Sequence, residues 1–130
     1  MPLWHYNLNK KKKSGGRKKS YRSKRAFEAG GFASETSLGG SSRIVRKVRG
    51  GALKIKLLSE KFVNITDQLE KTTTRVEILR VISNPVNADY NRRRVITKGA
   101  TIETPLGEAI ITSRPGQDGI INAVLSKNRS

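Results

Sequence analysis

The sequence contains no cysteine and only one histidine, His5. Without cysteine the chain has neither a disulfide framework nor a zinc site with thiolate ligands, and a single histidine does not build a metal centre. No apolar run approaches the roughly 18 residues that a membrane-spanning helix needs, and the N-terminus lacks the apolar core of a signal peptide. We therefore expect a cytoplasmic protein without metal, cofactor or membrane span.

Motifs of catalytic sites are missing as well. The chain has no GxxxxGK[ST] loop, no GxGxxG, and no cysteine or histidine arrangement that activates a nucleophile. Glu103 and Glu108 flank one predicted turn, but a paired acid–base site needs a pocket, and solvated carboxylates on a hairpin are the simpler interpretation. We predict that the protein is not an enzyme and has no small-molecule substrate.

Acidic residues are few compared with basic ones. The 130 residues include 27 Lys and Arg against 10 Asp and Glu, which gives a formal net charge of +17. Such a charge repels itself strongly, and a polyanionic partner offsets the repulsion. Nucleic acid is the first candidate and an anionic membrane surface the second. The length fits one compact domain with an appended arm.

The positive charge is concentrated near the N-terminus. Residues 10–25 contain ten Lys and Arg, no acidic residue and a single aromatic one, Tyr21. This segment cannot bury enough apolar surface to offset its ordering entropy, so we predict a basic, largely disordered arm over residues 1–42, with a flexible break at Gly15-Gly16. Its candidate phosphate ligands are Lys10, Lys11, Lys12, Lys13, Arg17, Lys18, Lys19, Arg22, Lys24 and Arg25.

Aromatic residues accompany this charge. Five of the seven aromatic residues lie within residues 1–32, and Tyr21 stands inside the basic segment. A ring can stack on an unpaired base, which contributes about 1–3 kcal/mol per base. Packing of these rings against the rest of the protein is the alternative. We include Tyr21 among the candidate RNA-binding residues.

Residues 43–130 have the pattern of a β protein. Apolar and charged residues alternate from Leu53 to Leu57, as in a strand, and Gly50-Gly51 suits a two-residue hairpin turn after the strand Arg43–Arg49. Further strands are predicted at 62–66, 72–83, 100–104, 108–112 and 120–125. About six short strands separated by turns predict an all-β fold with a small barrel.

Two shorter patterns complete the prediction for this body. Asn87 suits the cap of a short helical turn that ends near Arg92, and Arg114-Pro115-Gly116 suits a type II turn.

A second basic patch lies in the body, beside the predicted hairpin turn. Its charged members are Arg46, Lys47 and Arg49. The glycines that follow form the turn, and a turn without side chains also lets a phosphate approach backbone N–H groups closely. In the cluster Arg92-Arg93-Arg94, strand alternation would direct the middle residue away from the other two.

Three segments resemble a known family. The chain reads NKKKKSGGRKKSYRSKRAFEAGG at 9–31, VRGGALKIKLL at 48–58 and ITKGATIETPLGEAIITSRPGQDGIINAVL at 96–125. The ordered set SGGR, VRGG, NP, TKGA, TSRPGQDG and NAVL resembles the archaeal members of the small-subunit ribosomal protein family numbered eight with the suffix e. The similarity covers about residues 9–126.

This resemblance implies a structural component of the small ribosomal subunit with a β-barrel body and an extended arm. Its partners would be small-subunit ribosomal RNA and neighbouring ribosomal proteins. It places in the RNA-facing set Ser14, Gly15, Gly16, Arg17, the basic residues up to Arg25, and Arg49, Gly50 and Gly51. A membrane-surface or acidic-protein adaptor is the rival hypothesis, but a membrane binder needs an amphipathic helix with a large apolar face, and residues 10–25 offer only Tyr21.

Overall fold

The computed structural model of the protein describes Trp4, His5 and residues 11–126. The chain forms two compact units, Met1–Ala33 and Ser34–Ser130, each with its own internal contacts. Lys10, a predicted phosphate ligand, lies outside the described residues. The assignment of residues 1–42 as an RNA-binding arm stays a prediction.

The larger unit consists mainly of β-strands. In the part of the chain that the structure describes, the strands are β1 (Ser37–Leu38), β2 (Ser42–Lys47), β3 (Leu53–Glu60), β4 (Phe62–Asp67), β5 (Thr72–Glu77), β6 (Arg80–Ser83), β7 (Thr101–Thr104), β8 (Gly107–Ile111) and β9 (Asn122–Leu125). Two short helices, α1 (Ala88–Arg92) and α2 (Pro115–Asp118), lie between strands. The mainly β prediction is confirmed, with nine strands where about six were expected.

The strands form two open sheets, which corrects the predicted barrel. In the small sheet β3 pairs with β1 in parallel and with β2 antiparallel. The large sheet has the order β5-β4-β9-β8-β7-β6, in which β4 and β9 are parallel and the other pairs are antiparallel. Among the described strands, neither sheet closes on itself.

The reason lies in residues 72–83, which were predicted as one strand. The first half of this segment, β5, pairs with β4, and the second half, β6, pairs with β7. One nearly continuous segment therefore supplies both edges of the large sheet, with only Ile78 and Leu79 between them. The sheet has to curve so that one segment can reach both of its edges. Because β5 and β6 follow one another along the chain, they do not lie side by side, and no hydrogen-bond ladder forms between them to close a barrel.

Alternate residues of these strands, with several residues between them, form one hydrophobic core. Burial of each large aliphatic side chain contributes about 1.5–3 kcal/mol. Val76 is partly buried and packs against this core. The fully buried cluster consists of Leu57, Val63, Ile65, Ile78, Val81, Ile96, Ala100, Ile102, Ala109, Ile111, Ile121 and Ala123.

The turn between β2 and β3 confirms the predicted hairpin with a longer loop. Its three residues, Arg49–Gly51, lie between Val48 and Ala52. The Val48 N–H donates to the Ala52 carbonyl across the turn at 2.8 Å. Gly50 and Gly51 have φ of +80° and +81°, the left-handed region that favours glycine.

We expect Gly51→Val to lower the free energy of unfolding, measured by urea titration without RNA, by about 1–2 kcal/mol. A Cβ added at this position meets no atom within 4 Å, so the cost is conformational. Gly40→Val is the matched control, because Gly40 has equally open space and no positive φ. If stability is unchanged and only RNA binding falls, the glycine serves close phosphate approach instead of the turn.

The segment Arg114-Pro115-Gly116 differs from its prediction. It begins helix α2, with Pro115 at the first helical position, where a fixed φ and a missing N–H are tolerated. The left-handed residue is Gly119, with φ +74°, whereas a type II turn would need it at Gly116. Proline favours both structures, so the sequence does not distinguish them.

Candidate nucleic-acid interface

In the smaller unit the predicted SGGR segment forms a tight hairpin. The Gly15 N–H donates to the Lys12 carbonyl at 3.0 Å, and the Lys12 N–H donates to the Gly16 carbonyl at 2.8 Å. Gly15 has φ +83°, as expected for the last residue of a three-residue loop. Lys13 and Ser14 therefore stand at the tip of a defined turn, where the sequence suggested a flexible break.

Arg22 differs from the other described cations of this unit because it has an internal acidic partner. Its guanidinium donates to both carboxylate oxygens of Glu28 and lies 5.4 Å from the ring centroid of Tyr21. The hydrogen bond to Arg22 lowers the pKa of Glu28, and the hydrogen bond to Glu28 raises the pKa of Arg22. Glu28 also accepts the Arg25 N–H at 3.0 Å. The charge of Arg22 is thus already balanced.

The remaining described cations of residues 11–25 have no ion-pair partner among the described residues. They are exposed, and Lys24 places its ammonium 5.5 Å from the ring centroid of Trp4. Members of this set are Lys11, Lys12, Lys13, Arg17, Lys18, Lys19, Lys24 and Arg25. Three rings nearby are largely exposed, Tyr21 at 84%, Phe27 at 76% and Phe32 at 70%, so they offer surface for stacking.

In the larger unit, cross-strand register builds a basic face on the β2–β3 hairpin. Arg46 lies directly opposite Lys54, and Ile44 directly opposite Lys56. Residues opposite one another share a face, so three cations, Arg46, Lys54 and Lys56, lie together, and we call them the basic face. Like charges directly opposite destabilise a hairpin, and a bound polyanion removes that penalty.

The second face of the same hairpin is mainly apolar. Lys47 lies opposite Leu53, and Val45 lies opposite Ile55. Leu53 is 69% exposed and Val45 58%, although the alternation predicts a strand with one apolar side. The predicted patch is therefore divided, because consecutive strand residues point to opposite faces and Lys47 is not on the basic face. The side chain of Arg49 is not described.

Sequence reasoning missed Lys54 and Lys56 as binding candidates. In the alternating pattern of residues 53–57 they form the polar half of the strand. A signal was present, since residues 44–59 contain five basic residues and no acidic one. The pairing register, which depends on a loop of three residues and not two, decides which of these cations become neighbours.

Several other arginines of the larger unit have carboxylate or backbone partners. Arg93 forms a fork with Glu35 and contacts Asp89 at 2.7 Å, and its hydrogen bonds lower the pKa of both carboxylates. Arg92 also pairs with Asp89. Arg94 donates to the Val81 carbonyl at 2.6 Å. Arg92 ends helix α1 and Arg93 caps it, so strand alternation does not apply here, and each of the three arginines has a partner.

Further ion pairs lie on the surface of the large sheet. The described pairs are Lys61–Glu77 and Arg80–Glu103. Glu103 lies opposite Glu108 in the β7–β8 register, as their common turn suggested, and its carboxylate is bound by Arg80.

A buried carboxylate anchors β2 to β3. Glu60 accepts hydrogen bonds from Ser41 at 2.9 Å and from Arg43 at 2.7 Å. Burial alone raises the pKa of Glu60, but these bonds, the backbone N–H groups of Lys61 and Phe62, and the Arg43 charge outweigh it, so the pKa is lowered.

We expect stability to fall in acid partly through Glu60. The pKa of Glu60 is lowered in the folded state, so its ionised carboxylate contributes stability at pH values above the ordinary pKa of 4.5. This contribution is lost as the pH falls through the folded-state pKa. Glu60→Gln should lower the free energy of unfolding at pH 7 by about 1–3 kcal/mol and flatten its decline between pH 5 and about 3. Urea titrations across this range measure both, with exposed Glu70→Gln as the control. Parallel curves for wild type and Glu60→Gln would contradict the assignment.

Comparisons with known proteins point to one family. The family described as Ribosomal protein S8e matches residues 5–126. Small ribosomal subunit protein eS8 of Pyrobaculum aerophilum is 46% identical over 117 residues, which are 88% of this chain and 89% of that protein. The protein of the same name from Hyperthermus butylicus is 43% identical over 132 aligned residues, covering 100% and 96%. That of Methanococcus vannielii is 44% identical over 128, covering 96% and 98%.

Proposed function

The chain belongs to the ribosomal protein S8e family, and from this we propose that it is a structural constituent of the small ribosomal subunit that binds ribosomal RNA by neutralising backbone phosphates. Its partners are small-subunit ribosomal RNA and neighbouring ribosomal proteins, and its place of action is the cytoplasmic ribosome. We propose no catalytic role for any of its residues.

One observation carries the proposal, namely how the charges are paired. The described cations of residues 11–25, apart from Arg22, and those of the basic face have no carboxylate partner in the described residues. Most described arginines elsewhere in the larger unit are bound by acidic or backbone groups. Unpaired cations are therefore concentrated in residues 11–25, and three more share the basic face, which is what a phosphate backbone requires.

The mechanism follows from the two kinds of site. Phosphates and 2′-hydroxyls dominate the recognition of A-form RNA, so contacts from Lys and Arg need no base sequence. We propose that the basic face docks on folded RNA as a rigid surface. Residues 11–25 then supply counter-charge where RNA strands crowd together.

The membrane-surface alternative finds less support. No helix in the described residues is long and apolar enough to cross a membrane. The described helices and helical turns have three to five residues, which is too short to form an amphipathic surface helix.

The basic face gives a direct test of the proposal. We expect Lys54→Gln combined with Lys56→Gln to reduce the slope of log K against log salt, for binding to small-subunit ribosomal RNA, by about 1.4 to 1.8 units. This range is two phosphate contacts at about 0.7 to 0.9 each. The matched control is Lys71→Gln combined with Lys98→Gln, which removes the same charge from exposed lysines elsewhere on the unit. Equal effects of the two pairs would show that only net charge matters.

A further inference from the structure

A cleft on the outer side of the β9-β4-β5 part of the large sheet has no role in the proposal above. Its volume is about 180 Å³, and β2, β4, β5 and the residues before β9 line it. This is smaller than the roughly 300 Å³ or more of pockets for drug-sized ligands, so one small planar group fits it better than a complete cofactor.

A row of polar side chains crosses three strands at this cleft. Asn64 lies directly opposite Arg75 on β5 and directly opposite Asn122 on β9. The Asn64 Nδ2 donates to the Asn122 Oδ1 at 3.0 Å. The Oδ1 of Asn64 and the Nδ2 of Asn122 have no hydrogen-bond partner among the described residues, so an acceptor and a donor remain side by side on a half-exposed sheet face.

An aromatic platform stands beside this row. Phe62 precedes Asn64 by two residues on β4, which places both on the same face of the sheet. Phe62 is 40% exposed, and the Arg75 guanidinium lies 4.6 Å from its ring centroid. Aromatic rings and planar guanidinium groups are the surfaces on which unpaired bases stack.

The cleft carries one net positive charge, because Glu60 balances Arg43 and Arg75 has no carboxylate partner among the described residues. This charge favours a ligand that carries phosphate. The exposed side chain of Ile120 and the buried Ile121 add an apolar wall.

We propose that this cleft binds one unpaired base of the RNA, an inference that rests on the proposed function. The base stacks on the Phe62–Arg75 platform, and the amides of Asn64 and Asn122 hydrogen-bond to its edge. The larger unit would then hold RNA by one base in addition to the sequence-independent phosphate contacts of the basic face.

The test uses the full chain and five-nucleotide RNA probes at one salt concentration. One probe carries a single base at its centre and four abasic positions, and the reference probe is fully abasic. Both have the same phosphates, so contacts of the N-terminal cations cancel. We expect the wild type to bind the base-containing probe about 5- to 100-fold more tightly for at least one of the four bases. A mononucleotide that binds as tightly as the probe would overturn the assignment to RNA.

Phe62→Leu should remove this preference and change affinity for an A-form duplex less than two-fold. Tyr90→Leu is the matched control. The Arg93 guanidinium lies 5.6 Å from the centroid of the Tyr90 ring, so this variant removes a similar ring–arginine contact outside the cleft. A preference that persists in Phe62→Leu, or one absent from the wild type, overturns the cleft assignment. If Phe62→Leu does not fold, NMR of the wild type replaces it. The side-chain amide resonances of Asn64 and Asn122 must then shift when the base-containing probe is added and not when the abasic probe is added. If the wild type shows no salt-dependent binding to the duplex, the proposed function is refuted instead.

Discussion

Neutralising the basic residues of the N-terminal arm is expected to flatten the salt dependence of RNA binding by about 3.5 to 4.5 units of log K per log salt. Ten Lys and Arg lie between residues 10 and 25. We expect about half of them to contact a phosphate, and each contact contributes about 0.7 to 0.9 to the slope, the values for single strands and B-DNA. A doubling of salt should then weaken the wild type about 10- to 20-fold more than the variant.

The structure determines how this experiment is designed. A deletion should end at Ala33, because Thr36 is buried in the larger unit, where its hydroxyl donates to the Leu57 carbonyl at 2.9 Å. Removal of residues 1–42 would take this bond and β1 away and confuse stability with binding. A second variant keeps the full length and replaces the cations of residues 10–25 with Gln, except Arg22, whose charge Glu28 already balances.

Both variants should retain a preference for the cognate RNA over an unrelated RNA of equal length. Titrations of wild type and variants at several salt concentrations measure the slopes and this preference. An unchanged slope in the full-length Gln variant would remove the arm from the mechanism and leave the basic face as the main RNA contact.

Gly119→Ala is expected to lower the free energy of unfolding by about 2–5 kcal/mol. Two costs combine at this position. Gly119 has φ +74°, which costs an L-residue about 1–2 kcal/mol. A Cβ there would also lie 2.9 Å from the Ile55 Cγ2 and 3.3 Å from the Ile55 carbonyl oxygen, a clash with β3 that has to be relieved by movement.

Gly99→Ala separates the two costs. Gly99 has φ +86° but open space around the new Cβ, so only the conformational cost of about 1–2 kcal/mol is expected there. Urea titration gives both values. Adding Ile55→Ala to Gly119→Ala should recover part of the steric cost, and equal losses for Gly119→Ala and Gly99→Ala would contradict the clash. Because Ile55 precedes Lys56 on β3, Gly119→Ala should also disturb the basic face and weaken RNA binding.

Local chemistry let the sequence predict many elements of the larger unit. The β2–β3 hairpin has a glycine pair followed by alternating residues from Leu53, and the side chain of Asn87 caps helix α1 by accepting the Asp89 N–H at 3.0 Å. Both signals lie within a few residues of the structure that they specify. The segment 72–83 is different, since its residues favour strand throughout, and its division into β5 and β6 depends on partners far away in the chain.

The candidate site divides along the same line. The sequence by itself determined the excess of positive charge, the acid-free segment 10–25 and the family resemblance, because composition and motif order need no knowledge of contacts. Only the tertiary structure decided that Arg22 is neutralised by Glu28, that Arg46 shares a face with Lys54 and Lys56, and that the sheets stay open. Ion pairs, register and closure depend on which distant residues become neighbours. Pairing energies across strands set that choice, and a linear pattern does not contain them.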